Sequence, residues 1–259
     1  MTPWTPPSRS CTDRNTTCSA SGPTSPGQRP SRRSPAARDA YGKVHILCNN
    51  AGVGAGAPSA WEYSVKDWQW VLGVNLMGVV HGLNTFVPLM LDQDEEGHIV
   101  NTASVWGLVP RGGALYGVSK FAVVRLTEGL HYDLYERGAK LRCSVLCPGA
   151  IATRIAVSAR NRPAELREGE PAPDDPAAEA ARREEVIRRW QEFGMPPSEV
   201  AEIVLEGIKD ERFYILTHPG VLEDVRVRME DILAQRNPSP QDFPLGLSSR
   251  PDLAPPRLA

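Results

Sequence analysis

The chain has 259 residues and a formal net charge of −2, enough for one large α/β domain with a substantial core. The near-neutral balance gives no reason to expect a nucleic-acid partner or an anionic membrane surface, and no apolar run is expected to reach the length of a membrane span. The five cysteines (Cys11, Cys18, Cys48, Cys143 and Cys147) form no CxxC or zinc-like cluster with histidines. A reduced, cytoplasmic protein with neither a disulfide framework nor a metal site is expected.

Residues 1–40 contain no Val, Ile, Leu, Phe or Tyr and are rich in Pro, Ser, Thr and Arg. Such a stretch cannot bury enough apolar surface to offset the entropy of ordering it, so disorder is expected there. It has neither the apolar run of a secretory signal nor the amphipathic face of a transit peptide. The character changes at Val44. "KVHILCNNAG" (43–52) reads as a buried parallel strand running into a loop. Ser64, with Asp67 three residues later, is a capping box opening a long helix over 65–91.

"GHIVNTAS" (97–104) is a second strand. The stretch 115–137 reads as a helix with Val123, Leu126, Leu130 and Leu134 along one stripe and Gly138 as its stop. "LRCSVLCPG" (141–149) is a third strand. The polar segment 152–196, which carries a charged helix, is expected as a loop or lid beside the sheet rather than core. A helix at 198–210, a strand at 212–218 and a final helix at 221–235 close the domain of residues 41–236, and the Pro-rich tail 237–259 is expected to be loose. Strands alternating with helices predict an α/β fold, a Rossmann-like doubly wound parallel sheet that lacks its first strands, with ligands at the C-terminal strand ends.

The polar punctuation falls at those ends. Asn49-Asn50-Ala51-Gly52, Ser104 and the run Pro148-Gly149-Ala150-Ile151-Ala152-Thr153 close the three strands, and Tyr116 and Lys120 begin the helix after Ser104. Tyr and Lys four apart share one helix face. Each element alone has an ordinary reading: a helix-cap serine, a bend asparagine, a plain turn, a strand terminator. Trp106, Leu108 and Val109 either line an apolar pocket or simply pack. His81 and His131 have no ligand-like partners in the sequence, and Gly-x-Gly-x-Gly at 52–56 lacks the helix start that phosphate binding needs.

Taken together, "NNAG" (49–52), "VNLMG" (74–78), "HIVNTASVWG" (98–107), "YGVSK" (116–120) and "PGAIAT" (148–153) resemble the short-chain dehydrogenase/reductase family in order and spacing. The resemblance implies a catalytic tetrad of Asn75, Ser104, Tyr116 and Lys120, and NAD or NADP as cofactor. Asn50, Ala51 and Gly52 would meet its adenosine side, Tyr116 and Lys120 its nicotinamide ribose, and Ile151 and Thr153 its nicotinamide carboxamide, with Pro148 and Gly149 also cofactor-binding. The reaction implied is interconversion of a secondary alcohol and a ketone on a small molecule. Free tyrosine titrates near 10, and the Lys120 ammonium would stabilise the phenolate. The resemblance further implies a homodimer or homotetramer built through the helices at 65–91 and 115–137. The reading from another class is a non-catalytic scaffold or subunit of the same half-fold.

One part of the family pattern is not found. Too few residues precede Asn49 for the first strands, and the glycine-rich turn Thr-Gly-x-x-x-Gly-x-Gly is absent. Residues 1 to about 40 are therefore expected to be read from a wrong frame or start, which would leave an open sheet edge and weak phosphate binding. Translating the DNA upstream of the Tyr41 codon in the other two frames should reveal the glycine-rich motif. Stops close upstream in both frames, with no such motif, would refute this.

Overall fold

The computed structural model describes residues 41–55, 59–110, 113–167 and 175–238. The disorder expected for residues 1–40, the tail from residue 239 and the centre of the 152–196 segment (168–174) lie outside them. Four strands, β1 (Ile46–Asn49), β2 (Gly97–Thr102), β3 (Leu141–Cys147) and β4 (Tyr214–Leu216), pair in parallel in the order β1-β2-β3-β4. All four strands expected from the apolar runs are present. Register places Leu47 beside Ile99 and Ile99 beside Cys143.

Six longer α-helices among the described residues connect and cover them: α1 (Val65–Asn75), α2 (Met77–Asp92), α3 (Ala114–Glu136), α4 (Pro176–Phe193), α5 (Pro197–Lys209) and α6 (Val221–Leu233), with a single-turn helix at Ala164–Arg167 before α4. Because side chains alternate along a strand, Leu47, Ile99, Cys143, Val145 and Cys147 face α2 and α3, against Val79, Leu83, Met90, Val123 and Leu134. Val100, Leu146 and Ile215 turn the other way, onto Val200, Ile203, Val204 and Ile208 of α5. The result is a Rossmann-like α/β fold with helices on both faces of a parallel sheet. Cys143 and Cys147 are core residues, and burial pushes both thiols up to about 12.

The capping box at Ser64 forms as expected: Asp67 N–H donates to Ser64 Oγ (3.2 Å) and Ser64 N–H to Asp67 Oδ2 (2.8 Å). The single helix expected over 65–91 is instead two, divided at Leu76 (φ −102°, ψ −56°). The reason is Asn75, whose wholly buried side chain is bonded across to the β1 loop. A second expectation also needs correction. By length and composition Val65–Asp92 is apolar enough to cross a membrane, with a mean hydropathy of 1.4. In this fold its buried residues, Trp70, Val71, Val79, Leu83 and Met90, lie in the packed apolar clusters around the sheet.

The described ends of the 152–196 segment are anchored rather than set apart from the core. Ile151 bridges Met195, Phe193 and Met195 are buried, and Gly54 N–H donates to Ser158 Oγ (2.8 Å). Arg162, its side chain 9% exposed, pairs with Asp67 at 2.6 Å and lies over the Trp70 ring.

Inside the helix layer, Asn49 Nδ2 donates to Asn101 Oδ1 (2.8 Å), Asn101 Nδ2 to Thr127 Oγ1 (3.1 Å) and Thr127 Oγ1 to the Val123 carbonyl (2.7 Å). Asn49, expected in the turn after β1, is the last residue of the strand and faces α2. A Cβ at Gly82 would stand 2.0 Å from Asn49 Oδ1. Gly82→Ala should therefore destabilise the fold by about 1–3 kcal/mol in urea unfolding. Gly73→Ala, which meets nothing within 4 Å, should stabilise it by about 0.5–1 kcal/mol. Equal effects at both positions would contradict this packing.

Candidate active site

The C-terminal ends of β1, β2 and β3 share one edge, where a parallel sheet places its binding crevice. The β1 loop is held there by Asn75. Its Oδ1 accepts the Val53 N–H (2.8 Å), and its Nδ2 donates to the Val53 carbonyl (3.0 Å) and to Ser119 Oγ (3.0 Å). Ser119 in turn donates to the Tyr116 carbonyl (2.7 Å). Asn75 therefore reaches this edge with its side chain, tying the β1 loop to the first turns of α3. Asn50 Oδ1 accepts from Thr102 Oγ1 (3.0 Å) at the end of β2, and Ala51 is exposed beside it.

Ser104 caps the 3₁₀ turn Val105–Gly107, where its Oγ accepts the Trp106 N–H (3.3 Å) and donates to the Pro148 carbonyl (3.4 Å). Tyr116 is half-buried, edge-on to the Trp106 ring at 5.8 Å. Lys120, 2% exposed, donates from Nζ to the Thr102 carbonyl (3.0 Å) and lies 5.7 Å from the Tyr116 ring centroid. A Cβ at position 52 would stand 3.3 Å from Lys120 Nζ and 3.5 Å from Asn75 Oδ1, so the bare Gly52 leaves room beside the ammonium. A Cβ at Gly107 would meet the Lys120 carbonyl carbon at 2.7 Å. This glycine lets the Ser104 loop lie directly on α3. The structure thus brings Gly52, Asn75, Ser104, Tyr116 and Lys120 to one place.

The third-strand loop is held largely through its backbone. Pro148 uses its carbonyl toward Ser104 and Val105, Ile151 bridges Met195, and Thr153 Oγ1 accepts the Ile155 N–H (3.4 Å). Two residues with no sequence signal, Thr217 and His218, lie directly against this loop. Gly149 N–H donates to Thr217 Oγ1 (3.1 Å). Neither residue stands in a recognisable motif, and β4 is remote from the loop in sequence.

The electrostatics differ from the expectation of a tyrosine drawn down toward neutrality. Burial pushes the Tyr116 hydroxyl up to about 12, with only its side-chain contact with Ser104 acting against it. Burial also brings Lys120 down to about 8. The ammonium that was to stabilise the phenolate is therefore itself held at a cost, and it donates to the Thr102 carbonyl.

Comparison with known proteins agrees with this architecture. Residues 31–164, just over half of the chain, match the short chain dehydrogenase family model. The chain is 33% identical over 210 residues to the CLA biosynthesis dehydrogenase/reductase of Lactiplantibacillus plantarum, covering 78% of this chain and 70% of that one. It is 31% identical over 200 residues to the C alpha-dehydrogenase of a Sphingobium species, covering 76% of this chain and 62% of that one. Among solved structures, a short chain dehydrogenase/reductase from Burkholderia phymatum in complex with NAD superposes with a TM-score of 0.71 at 46% identity, covering 80% of this chain and 73% of that one. This chain belongs to the short-chain dehydrogenase/reductase family of oxidoreductases.

A buried lysine brought from 10.5 to about 8 costs roughly 3 kcal/mol to keep charged. Below pH 8 both folded and unfolded chains hold the proton and the full cost is present; it fades as pH rises from about 8 to 10.5. Lys120→Met should raise the urea-unfolding stability of the cofactor-free protein by about 1–3 kcal/mol at pH 7, and by less at pH 10. A gain that grows with pH would show that the charge is not buried at a cost.

Proposed function

We propose that the protein is an NAD- or NADP-dependent oxidoreductase that interconverts a secondary alcohol and a ketone on a fairly apolar small molecule. The observation that carries this reading is the meeting of Ser104, Tyr116 and Lys120 at the sheet edge. The residues present fit the nicotinamide–ribose half of the cofactor. Lys120 offers a buried cation beside which Gly52 leaves room, a Cβ there standing 3.3 Å from Nζ. In this reading Lys120 and Tyr116 hold the ribose, and Pro148, Gly149, Ile151 and Thr153 line the nicotinamide end. Asn50, Ala51 and Gly52 lie along the adenosine side. The NAD in the Burkholderia phymatum protein supports a dinucleotide for this chain.

The bound nicotinamide supplies or accepts the hydride. Ser104 Oγ holds the substrate oxygen, and the Tyr116 hydroxyl gives that oxygen its proton or takes it away. With the phenol held near 12, Tyr116 enters as the acid, suited to protonating a ketone oxygen as it is reduced. Working as a base demands a further cation, which an oxidised nicotinamide beside Lys120 would contribute. Trp106, half-buried and edge-on to the Tyr116 ring at 5.8 Å, supports an apolar substrate. The apolar residues exposed on α2 and α3, among them Met77, Phe121 and Tyr132, support assembly as a homodimer or homotetramer through those helices.

Turnover of NADH and NADPH with a panel of ketones tests the reading. Tyr116→Phe should lower kcat by about 10²–10⁴-fold while leaving cofactor affinity within twofold, and Lys120→Ala should weaken both. A Tyr116→Phe loss below tenfold would sink the assignment. A non-catalytic scaffold would show neither turnover nor a thermal shift with either nucleotide.

A further inference from the structure

Thr217 and His218 follow β4 and are almost wholly buried, 4% and 3% exposed. Thr217 Oγ1 accepts the Gly149 N–H at 3.1 Å and lies 2.7 Å from His218 Nδ1. With a lone pair taken by Gly149 and no other partner for the hydroxyl among the described residues, its proton goes to Nδ1. The imidazole is then the neutral form protonated at Nε2, and Nε2 is buried without a partner among the described residues. Burial, which holds His218 below its ordinary value, favours the same neutral form. Buried polar atoms left unpaired are few in folded proteins, so the ring is kept here against a cost.

What the pair grips is a single peptide plane. The Gly149 N–H and the Pro148 carbonyl belong to the same planar unit. Thr217 holds one end, while the other accepts Ser104 Oγ (3.4 Å) and the Val105 N–H (3.0 Å). Turning that plane would break the bonds at both ends together. Residue 149 is a glycine against which the His218 ring lies directly; a Cβ there would stand 2.6 Å from Nδ1 and 2.7 Å from Cγ. Glycine permits this approach, and it also leaves the adjoining peptide free to rotate. Some other group must therefore fix its orientation.

We infer that Thr217 and His218 are positioning residues, which orient the Ser104 hydroxyl through the Pro148–Gly149 peptide plane. The inference rests on the proposed role of Ser104 in the reaction. It explains why two polar residues just after a three-residue strand are buried against the loop that carries the Pro148–Gly149 peptide.

Amide hydrogen exchange on the cofactor-free chain reads both ends of the link. Gly149 N–H reports the Thr217 bond, and Trp106 N–H, which donates to Ser104 Oγ, reports the serine. Thr217→Val keeps the shape and removes the hydroxyl. It should speed exchange at both amides at least tenfold, with the Ile99 and Val100 amides unchanged, and Thr217→Ser should restore both. If the valine variant does not fold, His218→Phe reads the same two amides and should speed them in the same sense. Faster exchange at Gly149 alone, or at neither amide, would overturn the link to Ser104. In turnover assays Thr217→Val should lower kcat at least tenfold with nucleotide affinity unchanged, and Thr217→Ser should recover it. An inactive Tyr116→Phe beside a fully active Thr217→Val would defeat this inference alone. A fully active Tyr116→Phe would defeat the proposed function, whatever the amides show.

Discussion

The side-chain amide of Asn75 is the interaction on which the site depends. It offers one acceptor and two donor hydrogens, and the structure uses them to pair with both backbone groups of Val53, as a neighbouring strand would, and to reach Ser119. Three elements meet at that point: the loop leaving β1, the break between α1 and α2, and the opening of α3. Ser119 passes the constraint to the Tyr116 carbonyl. Buried polar groups deprived of their partners cost about 1–3 kcal/mol each, so replacing this amide would leave both backbone groups of Val53 unsatisfied and Ser119 with only its bond to the Tyr116 carbonyl. The helix break at Leu76 follows from the same demand. An uninterrupted helix over 65–91 would have to carry its chain direction past the point where Asn75 turns inward.

Around this anchor the site balances burial against charge. Lys120 is enclosed by the β1 loop, the Thr102 carbonyl and the Ser104 loop, and each of them displaces water. Enclosure makes the ammonium less stable and the phenol harder to ionise, both for the same reason: a charged form loses solvation. Opposite charges at close range would reverse this, yet the lysine points its proton at a carbonyl. At neutral pH the resting site therefore pairs a protonated lysine, held at a cost, with a protonated phenol, and a bound cationic ring would favour the phenolate.

Much of this was legible in the sequence. Apolar runs closed by Asn-Gly or Pro-Gly marked the strands, because a strand buried on both faces has little choice of residue. The capping box at Ser64 and the glycine after α3, at φ +60°, were local signals and appear as such. What escaped was non-local. Asn49 reads like a turn residue but ends β1, since its amide is needed by Asn101 from the neighbouring strand. Thr217 and His218 carry no pattern of their own, and only the pairing of β3 with β4 brings them under Gly149. The tyrosine's electrostatics could not be read from a four-residue spacing, because desolvation depends on everything packed around the pair.

Asp67 serves two structures at once, the cap of α1 and the ion pair with Arg162, a partner 95 positions further along the chain. Until the chain beyond β3 has returned, the start of α1 holds a carboxylate whose outer oxygen faces only water. Contacts so distant in sequence form late, since the intervening loop must be closed before they give anything back. The wall of the crevice made by α1 should accordingly gain its final rigidity only when residues 155–162 dock. The mouth of the site is thus closed by contacts far apart in the chain, 95 positions for Asp67 and Arg162 and 104 for Gly54 and Ser158.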